Sequence, residues 1–155
     1  MHVHRIGWAI ILGWAAAGSS PLALAALGGD LTSIQSDVES LKAQARAATP
    51  AAAGAYTVHE LTTQMGTVVR EYANPAGKVF AVTWRGPQMP NLSQLLGSYV
   101  QELQKAASAP HQGHRHLMVS KPDLMISSNG HMRAFYGRAY IPSLAPANVA
   151  IAELP

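Results

Sequence analysis

One short segment of the chain carries side chains that are typical of metal sites. His111, His114 and His116 lie within six residues, and imidazole is the side chain that most often ligates metals in proteins. A loop could bring two or three of them onto Zn²⁺ or Cu²⁺. The segment contains no cysteine and no acid, and Pro110 and Gly113 are typical of a solvated loop. The competing interpretation is therefore a polar surface loop that binds nothing.

Arginine and tyrosine residues recur together on segments that the sequence predicts to be strands. Such pairs bind anionic or sugar-like ligands through forked hydrogen bonds and through stacking on the aromatic ring. The residues predicted to form this ligand site are Arg70, Tyr72, Arg85, Tyr136 and Arg138. Strand alternation places Arg133 on the other face of the sheet. The competing interpretation is structural, because arginine stems also cover apolar surface and pair with glutamates on neighbouring strands.

Residues for nucleophilic or acid–base catalysis form no recognisable pattern. The chain has no G-x-S-x-G motif, and Ser98 follows Gly97 inside a predicted helix, where the strained turn of a nucleophile elbow is absent. Asp37 and Glu39 are the only close acidic pair, but residues two apart on a helix do not face each other. A hydrolase with an unrecognised site is the weakest of the functions considered.

The elements that would position these residues follow from hydrophobic periodicity and turn residues. The predicted order is helix, three strands, helix and two strands. The helices are predicted over Leu31–Ala47 and from Leu92 up to a stop at Ser108, Ala109 and Pro110. The strands are predicted over Tyr56–Thr62, Gly66–Ala73, Lys78–Arg85, Leu117–Ser127 and His131–Ile141. The pattern predicts an α+β fold. An antiparallel sheet of about five strands, a three-strand meander plus a hairpin, is covered by one amphipathic helix, and another helix lies at the N-terminus.

Turn residues predict how the first strands pair. The segment 74–77, Asn-Pro-Ala-Gly, suits a type I turn. Pairing across it sets Ala73 opposite Lys78, so that Glu71 faces Phe80. The alternation of side chains then gives two faces. The core face carries Phe80, Val82 and Trp84, and the opposite face carries Arg70, Tyr72, Thr83 and Arg85.

Two further turn signals lie in the C-terminal half. Asn129 and Gly130 both tolerate a positive φ, and this pair predicts the hairpin turn between the last two strands. Lys121 and Pro122 interrupt the first of these strands, which predicts an edge strand or a bulge there.

The N-terminal residues predict export. Arg5 precedes an apolar run, Ile6–Gly18, that is shorter than the about 20 residues needed to span a bilayer. Ala23 and Ala25 then form the small-x-small pattern that signal peptidase accepts. We expect cleavage after Ala25, with cleavage after Ala23 or Ala26 as alternatives, and no transmembrane helix in the mature chain.

Composition narrows the classes of protein. The chain of 155 residues has no cysteine and a formal net charge of +3. The missing cysteine excludes a thiol enzyme, a cysteine-ligated metal site and a lipoprotein anchor, and the small charge without a dense basic stripe argues against nucleic acid. The predicted organisation is a signal peptide at 1–25, an N-terminal helix and linker at 26–54, an α+β domain at 56–141 and an extended proline-containing tail at 142–155.

Several sequence blocks are similar to a known family. The blocks are Tyr56–Glu60, Val69–Trp84 with Gly86-Pro87, Leu95–Tyr99 and Gly130–Tyr140. Together they resemble the exported proteobacterial family that carries domain of unknown function two-eight-four-four, over nearly the whole mature chain. The resemblance implies a bacterial envelope protein and brings no established activity or catalytic residue.

These observations favour a non-enzymatic accessory or binding module of the bacterial envelope, located in the periplasm or outside the cell. Its partner would be another envelope protein or a small anionic or sugar-like ligand, and no cofactor is expected. The alternative is a periplasmic metal-binding protein that holds Zn²⁺ or Cu²⁺ on the histidine-rich loop.

Overall fold

The fold is seen in a computed structural model that describes residues 27–51, 54–109, 116–151 and 154. The predicted signal peptide lies outside these residues. The helices are α1 (Leu31–Ser40), α2 (Leu92–Leu96) and α3 (Val100–Ala107). The strands are β1 (Gln44–Ala45), β2 (Thr49–Ala51), β3 (Tyr56–Thr62), β4 (Val68–Ala73), β5 (Val79–Gly86), β6 (His116–Ser120), β7 (Met125–His131) and β8 (Ala134–Tyr140). No helix in the described part of the chain is long and apolar enough to cross a membrane.

One antiparallel sheet of eight strands organises the domain. Seven strands follow the order β1-β3-β4-β5-β8-β7-β6, and β2 also pairs with β3. The predicted α+β class is confirmed, but the prediction of about five strands is wrong. The additional strands are β1 and β2, which pair with β3, and β6, because the predicted strand Leu117–Ser127 is divided between β6 and β7.

The N-terminal helix is shorter than predicted, and this frees the chain for β1 and β2. It ends at Ser40 and not at Ala47, because Lys42 adopts a left-handed φ of 48°. The N–H group of Ala43 then donates to the carbonyl of Val38 at 2.9 Å, the pattern that closes many helix ends. The following residues are therefore extended and pair with the sheet.

The hairpin between β4 and β5 has a different register from the predicted one. The type I turn is present, since the N–H of Gly77 donates to the carbonyl of Asn74 at 2.8 Å. Gly77 has a φ of 75°, which adds a residue after the turn. A second irregularity sets Ala73 opposite Val79 and Tyr72 opposite Ala81, which leaves Phe80 as an extra residue.

The two irregularities shift the pairing by two residues. Glu71 therefore lies opposite Val82, and the predicted pairing with Phe80 is wrong. Val82 and Trp84 belong to the main core, as predicted, whereas Phe80 packs with Tyr72 on the other face. The expectation that Phe80 shares a face with Val82 and Trp84 is wrong because the bulge reverses the alternation at that residue.

The C-terminal strands also turn at other places than predicted. Lys121 and Leu124 exchange backbone hydrogen bonds of 2.9 and 3.4 Å, so the segment containing Pro122 is a turn between β6 and β7. Asn129 and Gly130 lie inside β7, and the prediction of a turn there is wrong. The turn consists of Met132 and Arg133, which both have a positive φ.

The helices cover one face of the sheet, which we call the core face. Its buried side chains include Ile34, Leu61, Val69, Val82, Trp84, Leu95, Leu96, Leu103, Ile126 and Ala139. Asn91 caps α2 and accepts hydrogen bonds from the N–H groups of Ser93 and Gln94. The single covering helix of the prediction is divided, because Gly97 with a φ of 54° ends α2, and a 3₁₀ turn over Gly97–Tyr99 leads into α3.

The opposite face, which we call the outer face, is covered at one end by the C-terminal tail. The tail starts with a 3₁₀ turn over Pro142–Leu144, and Asn74 Nδ2 donates to the carbonyl of Leu144 at 2.9 Å. Apolar tail residues then pack on the sheet in a second cluster. Its members are Tyr56, Val58, Tyr72, Phe80, Ala81, Tyr140, Leu144, Ala145, Val149, Ile151 and Leu154. The tail leaves Arg85 and Tyr136 exposed.

A pair of buried acids joins α1 to the core face. The side chains of Asp37 in α1 and Glu71 in β4 are fully buried, and Gln94 Nε2 donates to Asp37 Oδ1 at 2.5 Å. Burial, followed by the charge of Asp37 and a hydrogen bond to it, raises the pKa of Glu71 from 4.5 to about 9. Glu71 is therefore protonated at neutral pH, and the two carboxyl groups share that proton.

The raised pKa predicts that stability falls as the pH rises. The folded protein keeps a proton on Glu71 that the unfolded chain releases above its ordinary pKa of 4.5. As the pH rises from about 5 to 9, the free energy of unfolding therefore falls by up to about 1.4 kcal/mol per pH unit. The variant Glu71→Gln keeps a donor toward Asp37 and cannot titrate. Thermal unfolding followed by circular dichroism at pH 6 and 8.5 is expected to show a smaller loss of stability in this variant.

The matched control is Glu39→Gln, which removes an exposed carboxylate from α1, the helix that contains Asp37. It is expected to keep the pH dependence of the unchanged protein. Equal slopes in the Glu71→Gln variant and in the unchanged protein would show that the buried pair does not hold the proton.

Candidate functional site

The register of the sheet brings polar residues of five strands into one row on the outer face. Neighbours in this row are directly paired across β3, β4, β5, β8 and β7. In that order they are Glu60, Arg70, Thr83, Arg138 and Ser127. Because adjacent strands lie about 4.8 Å apart, Arg70 and Arg138 are held about 10 Å apart although they are distant in sequence.

Two flanking rows complete the outer face. One row crosses β4, β5, β8 and β7 as Val68, Arg85, Tyr136 and Asn129. The other crosses the same strands as Tyr72, Ala81, Tyr140 and Met125. All five residues of the predicted ligand site therefore lie on the same face.

Four of these five residues line one pocket, which we call the arginine pocket. Its volume is about 230 Å³. Its described lining consists of Val68, Arg70, Thr83, Trp84, Arg85, Ser127, Asn129, Tyr136, Gly137, Arg138 and Leu154. Tyr72 is the exception, because it is 1% exposed and lines a neighbouring groove of about 550 Å³ together with Arg70. Its hydroxyl lies 3.4 Å from Thr83 Oγ1.

The three arginines of the pocket have different surroundings. Arg70 Nε donates to Glu60 Oε2 at 2.9 Å, and Glu60 also accepts from Arg46 Nη1 at 3.1 Å. Hydrogen bonds from Arg46 and then from Arg70 hold the pKa of Glu60 below its usual value. Arg138 Nη1 donates to the carbonyl of Ile151 at 3.4 Å. Arg85 is exposed, and it forms no ion pair with any acid in the described parts of the chain.

Neutral polar groups surround the guanidinium groups. Asn129 Nδ2 donates to Ser127 Oγ at 3.2 Å, and Asn129 Oδ1 contacts Nδ1 of His116. These contacts fix the orientation of the Asn129 amide at the pocket wall. The ring of Tyr136 is 55% exposed. The pocket therefore combines cationic donors, hydroxyl and amide groups, and one exposed aromatic ring.

A family model, described as protein of unknown function (DUF2844), matches residues 23–154. The chain belongs to this family. The match confirms the resemblance found in the sequence. It includes the N-terminal helix, every strand of the sheet and the tail, so that the arginine pocket lies wholly within the DUF2844 domain. Comparison with curated proteins and with solved structures finds no match to the chain.

Seven lining residues of this DUF2844 pocket lie outside the predicted ligand site, among them Ser127, Asn129 and Leu154. Ser127 and Asn129 were missed because the turn was placed at Asn129, which removes both residues from the middle of a strand. The two-residue turn at Met132 and Arg133 pairs Ser127 with Arg138 and Asn129 with Tyr136, which places both residues on the outer face. Leu154 closes the pocket at the tail, and no local sequence signal indicates where a tail packs.

The histidine-rich loop falls largely outside the described residues, since His111 and His114 are not among them. His116 begins β6 and is exposed. No group of three or more histidine, aspartate or glutamate residues within the described ranges could hold a metal ion. The Zn²⁺ or Cu²⁺ site therefore stays a prediction, as does the hydrolase with an unrecognised site.

Gly137 in β8 has no side chain, which leaves room for the ring of Trp84 in the neighbouring strand β5. It lies opposite Trp84, and a Cβ atom on it would lie 2.3 Å from Trp84 Cζ2 and 2.5 Å from the carbonyl of Ser127. Neither neighbour can give way easily, because Trp84 is buried in the core and the other atom is backbone. Gly137→Ala is therefore expected to lower the free energy of unfolding by about 1–3 kcal/mol in urea denaturation.

Gly130→Ala is the matched control in the same hairpin. Its added Cβ would lie 2.6 Å from the ring of Phe135, which is half-buried and can rotate away. A smaller loss of stability is expected in this control. Equal losses in the two variants would contradict the packing argument for Gly137.

Proposed function

We propose that this protein is an exported, non-enzymatic binding module of the bacterial envelope, and that it binds an anionic sugar in the arginine pocket. The observation that carries the proposal is the environment of Arg85. This exposed guanidinium has no acidic partner in the described structure, and it lies directly opposite the exposed ring of Tyr136.

The charges of the pocket favour an anionic ligand. Arg70, Arg85 and Arg138 line it, and its described lining contains no carboxylate. The charge of Arg70 is shared with Glu60, whereas Arg85 can offer its planar fork of donors to a ligand. A carboxylate matches this fork with two parallel hydrogen bonds.

The neutral groups favour a sugar over a simple inorganic anion. Thr83, Ser127, Asn129 and Tyr136 offer hydroxyl and amide groups that can donate to and accept from sugar hydroxyls. The exposed ring of Tyr136 provides a flat surface on which a sugar ring can pack. Inorganic phosphate would contact the arginines but would make no use of the exposed ring of Tyr136. A uronate, which is a monosaccharide that carries a carboxylate, would interact both with the arginines and with the neutral groups of the pocket.

The envelope location is supported by the N-terminal sequence. A positive residue, a short apolar run and the Ala23-x-Ala25 pattern together are typical of a cleaved signal peptide. A module of this kind would hold an envelope sugar, or would present one to another envelope protein.

The ligand is tested by nuclear magnetic resonance titration of the purified protein with galacturonate and with galactose. Galacturonate is expected to shift the signals of the arginine pocket, and galactose, which lacks the carboxylate, is expected to bind at least tenfold more weakly. Arg85→Ala removes a charge-assisted hydrogen bond worth about 1.5–3 kcal/mol and is expected to weaken galacturonate binding by about 10- to 100-fold.

Lys105→Ala is the matched control, because it removes one positive charge from the exposed side of α3, on the other side of the sheet. It is expected to bind galacturonate like the unchanged protein. Equal affinities for the two sugars, or an Arg85→Ala variant that binds as before, would overturn the proposed ligand.

Export is tested by the mass of the protein that is recovered from the periplasm of an expressing bacterium. Cleavage after Ala25 is expected, so the first residue of the mature chain is Ala26. Recovery of a chain that still contains the apolar run Ile6–Gly18 would contradict export by a cleaved signal peptide.

A further inference from the structure

The arginine pocket is continuous with two neighbouring depressions of the outer face. On one side it shares Arg70 with the groove of about 550 Å³, whose lining includes Arg46 and Tyr56. On the other side it shares Arg85 and Tyr136 with a depression of about 390 Å³. The three depressions therefore form one path that runs from β2 to the hairpin between β7 and β8.

Each depression along this path repeats the same combination of groups. The groove pairs Arg46 and Arg70 with the ring of Tyr56. The arginine pocket pairs three arginines with the ring of Tyr136. The last depression adds Arg133 beside that ring, because Arg133 lies in the turn and is released from the strand alternation that was expected to place it on the other face. A single small anion would use only one of these combinations. A chain with one carboxylate per unit would reach the arginines of all three.

We propose that the outer face binds an acidic oligosaccharide of at least three sugar units along these three depressions. The inference rests on the proposed function and names the form of its ligand. The path crosses β3, β4, β5 and β8, and three strand spacings amount to about 14 Å, which exceeds the length of one sugar ring. The carboxylates would lie beside the arginines, and the rings would pack on the aromatic side chains.

The charges at the two ends of the path fit this ligand. The side chain of Arg46 is 77% exposed. Arg46 and Arg70 carry two positive charges, and Glu60, the acid that pairs with both, carries one negative charge. Arg133 is exposed at the hairpin turn and forms no ion pair with the described acids. Both ends therefore present positive charge that a single sugar in the central pocket would not reach.

An acidic peptide fits this path less well than a sugar chain. A peptide binds a sheet most readily by adding a strand at its edge, where backbone groups are unpaired. The path runs across the middle of the sheet, where the backbone groups of β4, β5 and β8 are already paired with each other. The hydroxyl and amide side chains of the path suit sugar hydroxyls instead.

The experiment is calorimetric titration of the purified protein with galacturonate and with its linear trimer and pentamer. Affinity is expected to rise at least tenfold from monomer to trimer. Arg46→Gln and Arg133→Asn are expected to weaken trimer binding by about three- to tenfold and to leave monomer binding unchanged. Arg85→Ala is expected to weaken both. Asparagine is chosen at position 133 because it tolerates the φ of 66° found there.

The controls separate the outcomes. Lys105→Ala is expected to change nothing. Monomer and trimer of equal affinity would overturn the oligosaccharide and leave the proposed uronate site standing. Binding of neither would overturn both. A polyglutamate peptide of equal charge that binds as tightly as the trimer would overturn the sugar chain in favour of unspecific charge attraction.

Discussion

The register of the central strands is the constraint on which the rest of the structure depends. Along β4, residue Arg70 faces outward and Glu71 faces the helices, and the paired strands alternate in step. A shift of the pairing by one residue would turn Arg70 and Arg138 into the core and expose the side chains that are now buried on the core face. The bulge at Phe80 and the turn at Gly77 set this register, so two local irregularities determine which residues form the outer face.

The same alternation explains why an acid is buried in the core. Once Arg70 and Tyr72 point outward, Glu71 between them must point inward. The cost of burying its carboxyl group is reduced because it keeps a proton and bonds to Asp37, which Gln94 also contacts. The arginine pocket and the buried acid pair are therefore two consequences of one register. The acid pair also fixes α1 to the sheet, since Asp37 belongs to that helix.

Local sequence signals predicted the parts of the fold that depend on nearby residues. The bounds of β3 and the face that carries the arginines follow from the alternation of side chains along the strands. Parts that depend on distant packing were not predicted. The bulge at Phe80 has no local signature. Gly130 resembles a turn residue, yet it lies in a strand, and the turn follows at Met132 and Arg133. The path of the tail over Tyr72 and Phe80 is likewise a matter of packing.

The central claim is that the outer face, and not the helical side, binds an acidic sugar. A crystal structure of the protein grown with the galacturonate trimer tests it most directly. We expect a carboxylate of the trimer in two hydrogen bonds with Arg85 and a sugar ring packed on Tyr136. A trimer bound on α1 or α3, or an empty outer face at saturating trimer, would contradict the account.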